Sequence, residues 1–242
     1  MNSSGEPMVD LAGMRKPYVP RPDYDVDLRK CVDTDPLKQF DTWFQYVKNH
    51  ASLSFEETNA FALSTATKEG RPSCRMVLIK GYGPDGFRFF TNYNSRKGKE
   101  LAENPYACLM VYWAPVSLSV RIEGIVEKLP DSAAEEYWSQ RPVKSRASAF
   151  ASRQSSVIPS SENLDECIRQ VHQKYTENGL EIPKPKEWGG YILKPDSFEF
   201  WQGDNNRLHD RVRFRKLIDG EKIDNVLLHA GNENWVYERL SP

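Results

Sequence analysis

Trp201-Gln-Gly-Asp-Asn-Asn-Arg207-Leu-His209-Asp-Arg211-Val-Arg213-Phe-Arg215 is the stretch from which the rest of this chain is best read. An extended backbone from Arg207 onward sends successive side chains to opposite faces. Arg207, His209, Arg211, Arg213 and Arg215 then share one face; Leu208, Val212 and Phe214 share the other, with Asp210 among them. The apolar face suits a sheet core. The basic face holds five cationic or cationisable groups, which repel one another unless something neutralises them. For Arg213 and Arg215, near the strand's end, a solvated edge strand is sufficient, because edge charge blunts aggregation. Arg207, His209 and Arg211 follow directly on Trp201 and Asn206. An aromatic, an amide, two guanidiniums and an imidazole describe a site for a planar, phosphorylated ligand.

Outward from this stretch, the chain reads as mainly β with interposed helices (α+β). Strands are expected at Ala60–Thr67, Ser73–Gly81, Phe87–Thr91, Tyr106–Trp113, Ser117–Leu129, Gly190–Leu193, Phe198–Gln202, Arg207–Lys216 and Trp235–Leu240. Thr34-Asp35-Pro36 starts a helix whose Leu37, Phe40, Phe44 and Val47 fall on one face. Ser95 and Asp131 are expected caps of two further helices, with others at Val143–Ala151 and Ser161–Asn178. Residues 1–33, polar and carrying Pro7, Pro17, Pro20 and Pro22, read as a flexible N-terminal arm; residues 34–242 read as one domain. Many strands with short helices between them suggest a partly open antiparallel barrel.

Composition narrows the function. Thirty-three basic and 34 acidic residues nearly cancel, which disfavours nucleic acid as a partner. No apolar run is long enough for a membrane span, and residues 1–30 lack a signal-peptide core. Cys31, Cys74, Cys108 and Cys167 are far apart with no C-x-x-C, so neither a disulfide framework nor a metal site is expected. A cytoplasmic protein is the expectation.

Three further clusters can bind anions. In Arg75-Met-Val-Leu-Ile-Lys80, Arg75 and Lys80 either snorkel from the strand ends or each reach a phosphate from its own side. Thr91-Asn-Tyr-Asn-Ser95-Arg96-Lys97 places two cations in a helix's first turn, where they oppose the macrodipole. A bound phosphate would reverse that sign; an exposed basic turn would cost only some tenths of a kcal/mol. Tyr137, Arg141 and Ser145 are four apart, with Pro142 breaking a continuous helix, and can still converge on one pocket. There is no Walker loop, no G-x-G-x-x-G and no H-E-x-x-H. Anion clamps and aromatics with little acid–base machinery suit an enzyme whose chemistry belongs to a cofactor.

Taken in order, these motifs resemble pyridoxine (pyridoxamine) 5′-phosphate oxidase, an FMN enzyme that makes pyridoxal 5′-phosphate. The resemblance runs from about Asp35 to Pro242 and rests on Arg75-Met-Val-Leu-Ile-Lys80-Gly, Gly86-Phe-Arg-Phe-Phe-Thr91-Asn, Ser95-Arg-Lys-Gly-Lys-Glu100-Leu, Gln154-Ser-Ser-Val-Ile-Pro159, Trp188-Gly-Gly-Tyr191, Glu199-Phe-Trp-Gln-Gly203 with Arg207-Leu-His-Asp-Arg211, and Trp235-Val-Tyr-Glu-Arg-Leu240. Met14-Arg-Lys-Pro-Tyr18 is similar to the family's substrate-covering segment.

The resemblance implies an FMN-binding split β-barrel, working as a homodimer with FMN at the interface. By match of motif it implies FMN contacts at Arg75, Met76, Val77, Leu78, Phe90, Thr91, Arg96, Lys97, Gln154, Ser155, Trp201 and Arg211. It implies contacts to the substrate, pyridoxamine 5′-phosphate or pyridoxine 5′-phosphate, at Lys80, Tyr137, Arg141, Ser145, Arg207, Leu208 and His209. Arg207 and His209 are the implied catalytic pair beside the pyridine ring, with dioxygen as the acceptor. One position departs from the pattern. Where the family usually has a flavin-contacting glutamine before Val120-Arg-Ile-Glu-Gly124, this chain has Ser119. A non-catalytic flavin or pyridoxal-phosphate binder on the same fold is the alternative reading.

Overall fold

The computed structural model describes residues 17–18, 26–30, 32–50, 57–205 and 208–242. Its sheet is organised around one long strand, β7 (Trp188–Gln202). The sequence suggests two strands here because Lys194-Pro-Asp interrupts the apolar alternation. The chain stays extended because the register with β6 (Leu118–Lys128) shifts at Glu123/Gly124, and Pro195 sits at that irregularity. The first half of β7 pairs with β4 (Gly86–Asn92), which also pairs with the short β3 (Gly81–Gly83). The second half pairs with β8 (Asp210–Lys216) along the same edge, so the sheet forks. Beyond β6 follow β5 (Tyr106–Trp113), β1 (Ala60–Ala66) and β2 (Pro72–Leu78); beyond β8 follow β10 (Trp235–Leu240) and β9 (His229–Ala230). All pairings are antiparallel, and the fork gives the split form of barrel.

Strand β8 is internal, lying between β7 and β10, which corrects the edge-strand reading of Arg213 and Arg215. Carboxylates neutralise them instead. Arg213 Nε donates to Glu238 Oε1 at 2.7 Å, and Arg215 NH1 donates to Glu221 Oε2 at 2.7 Å. Val212 and Phe214 are fully buried as the alternation requires. Leu208 does not join them: the strand starts at Asp210, and Leu208 is exposed.

Among the described residues five α-helices decorate the sheet: α1 (Pro36–Asn49), α2 (Arg96–Glu103), α3 (Asp131–Gln140), α4 (Val143–Ala151) and α5 (Ser161–Val171). Asp35 caps α1 by accepting from Leu37 N–H at 2.9 Å, and the helix seals the barrel with Phe40, Trp43 and Val47. Asp131 is not the cap of α3. It lies in the first turn, after Pro130, where its charge still favours the helix N-terminus. The α-helical part of α5 stops at Val171 and a π-helical turn, His172–Thr176, completes the segment. Val26 and Leu28, within the stretch read as an arm, are buried in the main core, so the packed unit begins before residue 34. A second core of Ala134, Trp138, Ala147, Val171, Ile182 and Trp188 lies under α3 to α5. Among the described residues no helix is long and apolar enough to cross a membrane.

Candidate functional site

Between the two cores runs a cleft of about 420 Å³, lined by Met76, Val77, Leu78, Lys80, Phe90, Thr91, Lys97, Tyr137, Arg141, Pro142, Ser145 and Gln154. Its inner end is built by the turn from β4 into α2. Ser95 is buried and its Oγ accepts from Gly98 N–H at 3.3 Å, starting the helix. Gly98 is required there: a Cβ would lie 2.2 Å from the Tyr93 carbonyl oxygen. This close return turns Lys97 inward, where it is buried. Its ammonium donates to Thr91 Oγ1 at 3.2 Å and Gln154 Oε1 at 3.0 Å, and Thr91 also donates to Gln154. These partners are neutral. Burial, and then the nearby Arg75 charge, push Lys97 down to about 8. Ser155, next to Gln154, adopts a left-handed φ of 70°.

Arg75 does not snorkel to water. Its guanidinium donates to the Leu63 carbonyl at 3.1 Å, to Thr65 Oγ1 at 2.5 Å and to Ser73 Oγ, and meets Glu100 Oε2 at 3.3 Å. Glu100 is a buried carboxylate that sequence reasoning passed over. Besides Arg75 it accepts from Ser73 Oγ at 2.6 Å, from Thr65 Oγ1 and, across one helical turn, from Arg96 Nε at 2.9 Å. Burial acts to raise this carboxyl, but the hydrogen bonds from Ser73, Thr65 and Arg96, with the charge of Arg75, hold it at about 2. The i, i+4 spacing from Arg96 was the available signal.

At the outer end of the cleft, Lys80 Nζ lies 5.9 Å from the Tyr137 ring centroid. Tyr137 packs on Phe90 at 4.3 Å and Phe90 stacks on Trp188 at 5.5 Å. The break at Pro142 lets Arg141 leave α3 and turn back: its guanidinium lies 4.8 Å over Trp188 and donates to the Ser145 carbonyl at 3.2 Å. Burial lowers this guanidinium from its ordinary value, opposed by Tyr137. Tyr137, Arg141 and Ser145 thus do converge, as their spacing suggested, and Lys80, grouped with them only by the resemblance, lines the same cleft.

The remaining candidates form a separate group at the far end of β7. Trp201 packs against His209 at 4.9 Å and Tyr18 at 5.7 Å. Asp204 N–H donates to His209 Nδ1 at 3.1 Å, so in a neutral ring Nε2 bears the proton. Arg211 Nε pairs with Glu199 Oε1 at 2.8 Å, and Arg121 NH2 takes Oε2 of the same carboxylate at 2.7 Å. Ser119 is buried, lies opposite Trp201 in the β6–β7 register, and lines a pocket of about 280 Å³ with Met110, Tyr112, Arg121, Glu199 and Trp201. Leu208 is beside this group, and Arg207 lies outside the described residues. Glu199 was also missed; its signal is a carboxylate alternating between Phe198 and Phe200 in a core strand.

Residues 48–182 match the family described as pyridoxamine 5′-phosphate oxidase, and residues 188–242 match the pyridoxine 5′-phosphate oxidase C-terminal dimerisation region. The chain belongs to the pyridoxamine 5′-phosphate oxidase family. It is 49% identical over 235 residues to pyridoxine-5′-phosphate oxidase of Bos taurus, covering 97% of this chain and 88% of the relative. It is 45% identical to pyridoxine/pyridoxamine 5′-phosphate oxidase of Bombyx mori, covering 97% and 90%. The crystal structure of PhzG from Burkholderia lata 383, in complex with tetrahydrophenazine-1-carboxylic acid, superposes with a TM-score of 0.75 at 28% identity, covering 93% of this chain and 98% of that one. The oxidase-family match over 48–182 contains every residue lining the cleft, and the dimerisation region contains Trp201, His209 and Arg211.

Proposed function

We propose that this protein oxidises pyridoxamine 5′-phosphate and pyridoxine 5′-phosphate to pyridoxal 5′-phosphate, with FMN as cofactor, dioxygen as acceptor and hydrogen peroxide as by-product; from the amine, the imine takes up water and releases ammonia. The observation that carries the reading is one cleft with Lys97 at one end, its charge felt by nearby Arg75, and Lys80 with Arg141 at the other, in a chain of this family. Two phosphorylated molecules, cofactor and substrate, need two such ends.

The inner end fits FMN. Among the described residues Lys97 is a buried ammonium held by neutral oxygens, near Arg75 and at the capped N-terminus of α2. A phosphate dianion there offsets both its burial and its repulsion from Arg75. In this reading Arg75, Arg96, Lys97, Thr91, Gln154 and Ser155 hold the phosphate end, while Met76, Val77, Leu78, Phe90, Trp201 and Arg211 flank the flavin. When bound there, FMN would supply the two-electron redox chemistry, with dioxygen as the final acceptor. Lys80, Tyr137, Arg141 and Ser145 hold the substrate phosphate; Arg207, Leu208 and His209 bear on its ring. The protein's contribution is proximity and fixed charge.

A homodimer completes this site. Met76 faces Ala62, Ala62 faces Met110, Met110 faces Arg121 and Arg121 faces Glu199, one row across the outer side of the sheet. Four strand spacings separate β2 from β7, about 19 Å. Flavin contacts at both Met76 and Trp201 therefore call for two copies, each bringing one group to the other. Met76, Met110 and Tyr112 are exposed on this face, as an interface requires. The catalytic unit is the domain from 34 to 242 together with the packed segment 26–30. A cytoplasmic location belongs to the same reading and rests on the free thiols Cys74, Cys108 and Cys167.

The test is to saturate the protein with FMN and follow pyridoxal 5′-phosphate and peroxide formation from pyridoxamine 5′-phosphate. Turnover that needs both FMN and the 5′-phosphate is the expected result. Tight FMN binding without turnover would favour a non-catalytic binder and direct attention to Ser119.

A further inference from the structure

The loop between β7 and β8 holds a second segment of the chain by a reciprocal contact. Tyr18 N–H donates to Asn205 Oδ1 at 2.8 Å, and Asn205 Nδ2 donates back to the Tyr18 carbonyl at 3.1 Å. One side-chain amide thus satisfies both backbone groups of a single residue, as a neighbouring strand would. The result is a fixed ring: Tyr18 meets His209 edge-on at 5.1 Å and Trp201 at 5.7 Å. Gly203 makes the seat possible, since a Cβ there would lie 2.7 Å from Tyr18 Cδ1.

The loop does not depend on this contact for its own position. Arg29 Nε donates to Asp210 Oδ2 at 2.7 Å, and Arg29 NH2 donates to the Leu208 carbonyl at 3.1 Å. Leu28 N–H donates to the buried Gln202 Oε1 at 3.0 Å. Gln202 on one side of Asn205 and Leu208 and Asp210 on the other are thus held by other contacts, and the exposed amide of Asn205 is spent on Tyr18.

We propose that Asn205 is a positioning residue for the oxidase reaction, latching the Pro17–Tyr18 segment so that the Tyr18 ring closes one side of the Trp201–His209 group. This rests on the proposed function, in which His209 bears on the substrate ring. The latch acts through Tyr18 and touches no reacting atom. Its removal opens that side of the group without disturbing the phosphate clamps at Lys97 and Arg141.

Two readouts test this. The first is independent of turnover: chymotrypsin cleavage after Tyr18, followed by intact mass in the FMN-loaded protein. Asn205→Ala removes both hydrogen bonds and is expected to raise the cleavage rate about tenfold, and Asn205→Asp, which keeps the acceptor for Tyr18 N–H, about threefold. Unchanged cleavage in Asn205→Ala would overturn the latch. The second is a double-mutant cycle in kcat/KM for pyridoxamine 5′-phosphate. Asn205→Ala, Tyr18→Ala and the double variant are expected to lose about the same factor, roughly tenfold, with FMN affinity unchanged. Multiplying losses in the double variant would overturn the proposal, since Asn205 would then act other than through Tyr18. A parent protein without turnover would defeat the proposed function and leave the cleavage readout to decide the latch.

Discussion

Replacing Lys97 by methionine is expected to stabilise the FMN-free protein while weakening its hold on FMN. Methionine keeps much of the length and apolar surface of the lysine stem and removes the ammonium. In the folded protein that ammonium is displaced from its ordinary value of 10.5 to about 8, by burial first and by Arg75 second. The displacement corresponds to about 3 kcal/mol of unfavourable charge burial. Because the folded value lies below the unfolded one, the unfolded chain binds more protons between about pH 8 and pH 10.5. The parent therefore carries the full cost below about pH 8 and gains stability as pH rises through that window. Loss of the two hydrogen bonds to Thr91 and Gln154 offsets part of the gain, leaving about 1–2 kcal/mol at pH 7, or about 2–8 °C in Tm for a chain of this size. FMN binding loses a charge-assisted hydrogen bond of about 1.5–3 kcal/mol, a factor of about 10–100 in Kd. Thermal melts of the FMN-free proteins at pH 7 and pH 10 measure the first effect; titration by quenching of flavin fluorescence measures the second. A Lys97→Met protein that is less stable than the parent at pH 7 and binds FMN equally well would refute the reasoning.

Other outcomes follow from the same geometry. Glu100→Gln should flatten acid unfolding. The carboxyl is held at about 2, below its ordinary 4.5, so its contribution, up to about 3 kcal/mol, is present above pH 4.5 and lost as pH falls towards 2; an unaltered stability–pH slope in that range would count against it. Gly98→Ala should cost about 3 kcal/mol or more and release FMN, because the new methyl meets the Tyr93 carbonyl; a normal melt with normal FMN affinity would contradict the packing. Ser119→Gln should fill space in the pocket beside Trp201 and tighten FMN binding about fivefold by adding one hydrogen bond, and an unchanged FMN titration would show that the flavin does not reach it. Arg207→Ala should slow flavin reduction at saturating substrate more than it weakens FMN binding, and equal reduction rates in variant and parent would remove Arg207 from the reaction.

Much of this protein was legible because the relevant signals are local. Alternation marked Val212 and Phe214 as core, and helical spacing did the same for Phe40 and Val47, with Leu37 and Phe44 of that face half-buried against them. Ser95 before Arg96-Lys97 marked a helix start with misplaced charge, and one of those cations, Lys97, is buried in the fold. The errors share one cause. Arg213 and Arg215 were read as edge residues because their partners, Glu238 and Glu221, come from other segments. β7 was cut in two because the irregularity that tolerates Pro195 involves its neighbour β6. Glu199 gave no signal because its cations Arg121 and Arg211 arrive across strands, and Glu100 only the i, i+4 pairing with Arg96, since Arg75 reaches it from another element.

The sequence by itself determined the class of fold, the family and the identity of nearly every side chain in the cleft, since motif order and periodicity are properties of the chain alone. Tertiary structure decided which cations are compensated by carboxylates within the fold. Arg211, Arg213 and Arg215 stand in one basic row in the sequence, yet each is engaged by a carboxylate in the fold. Lys97, one cation among several in a basic turn, is instead buried against neutral oxygens. Charge is written in the sequence; its desolvation and its compensation depend on distance and burial, which exist only once the chain is folded.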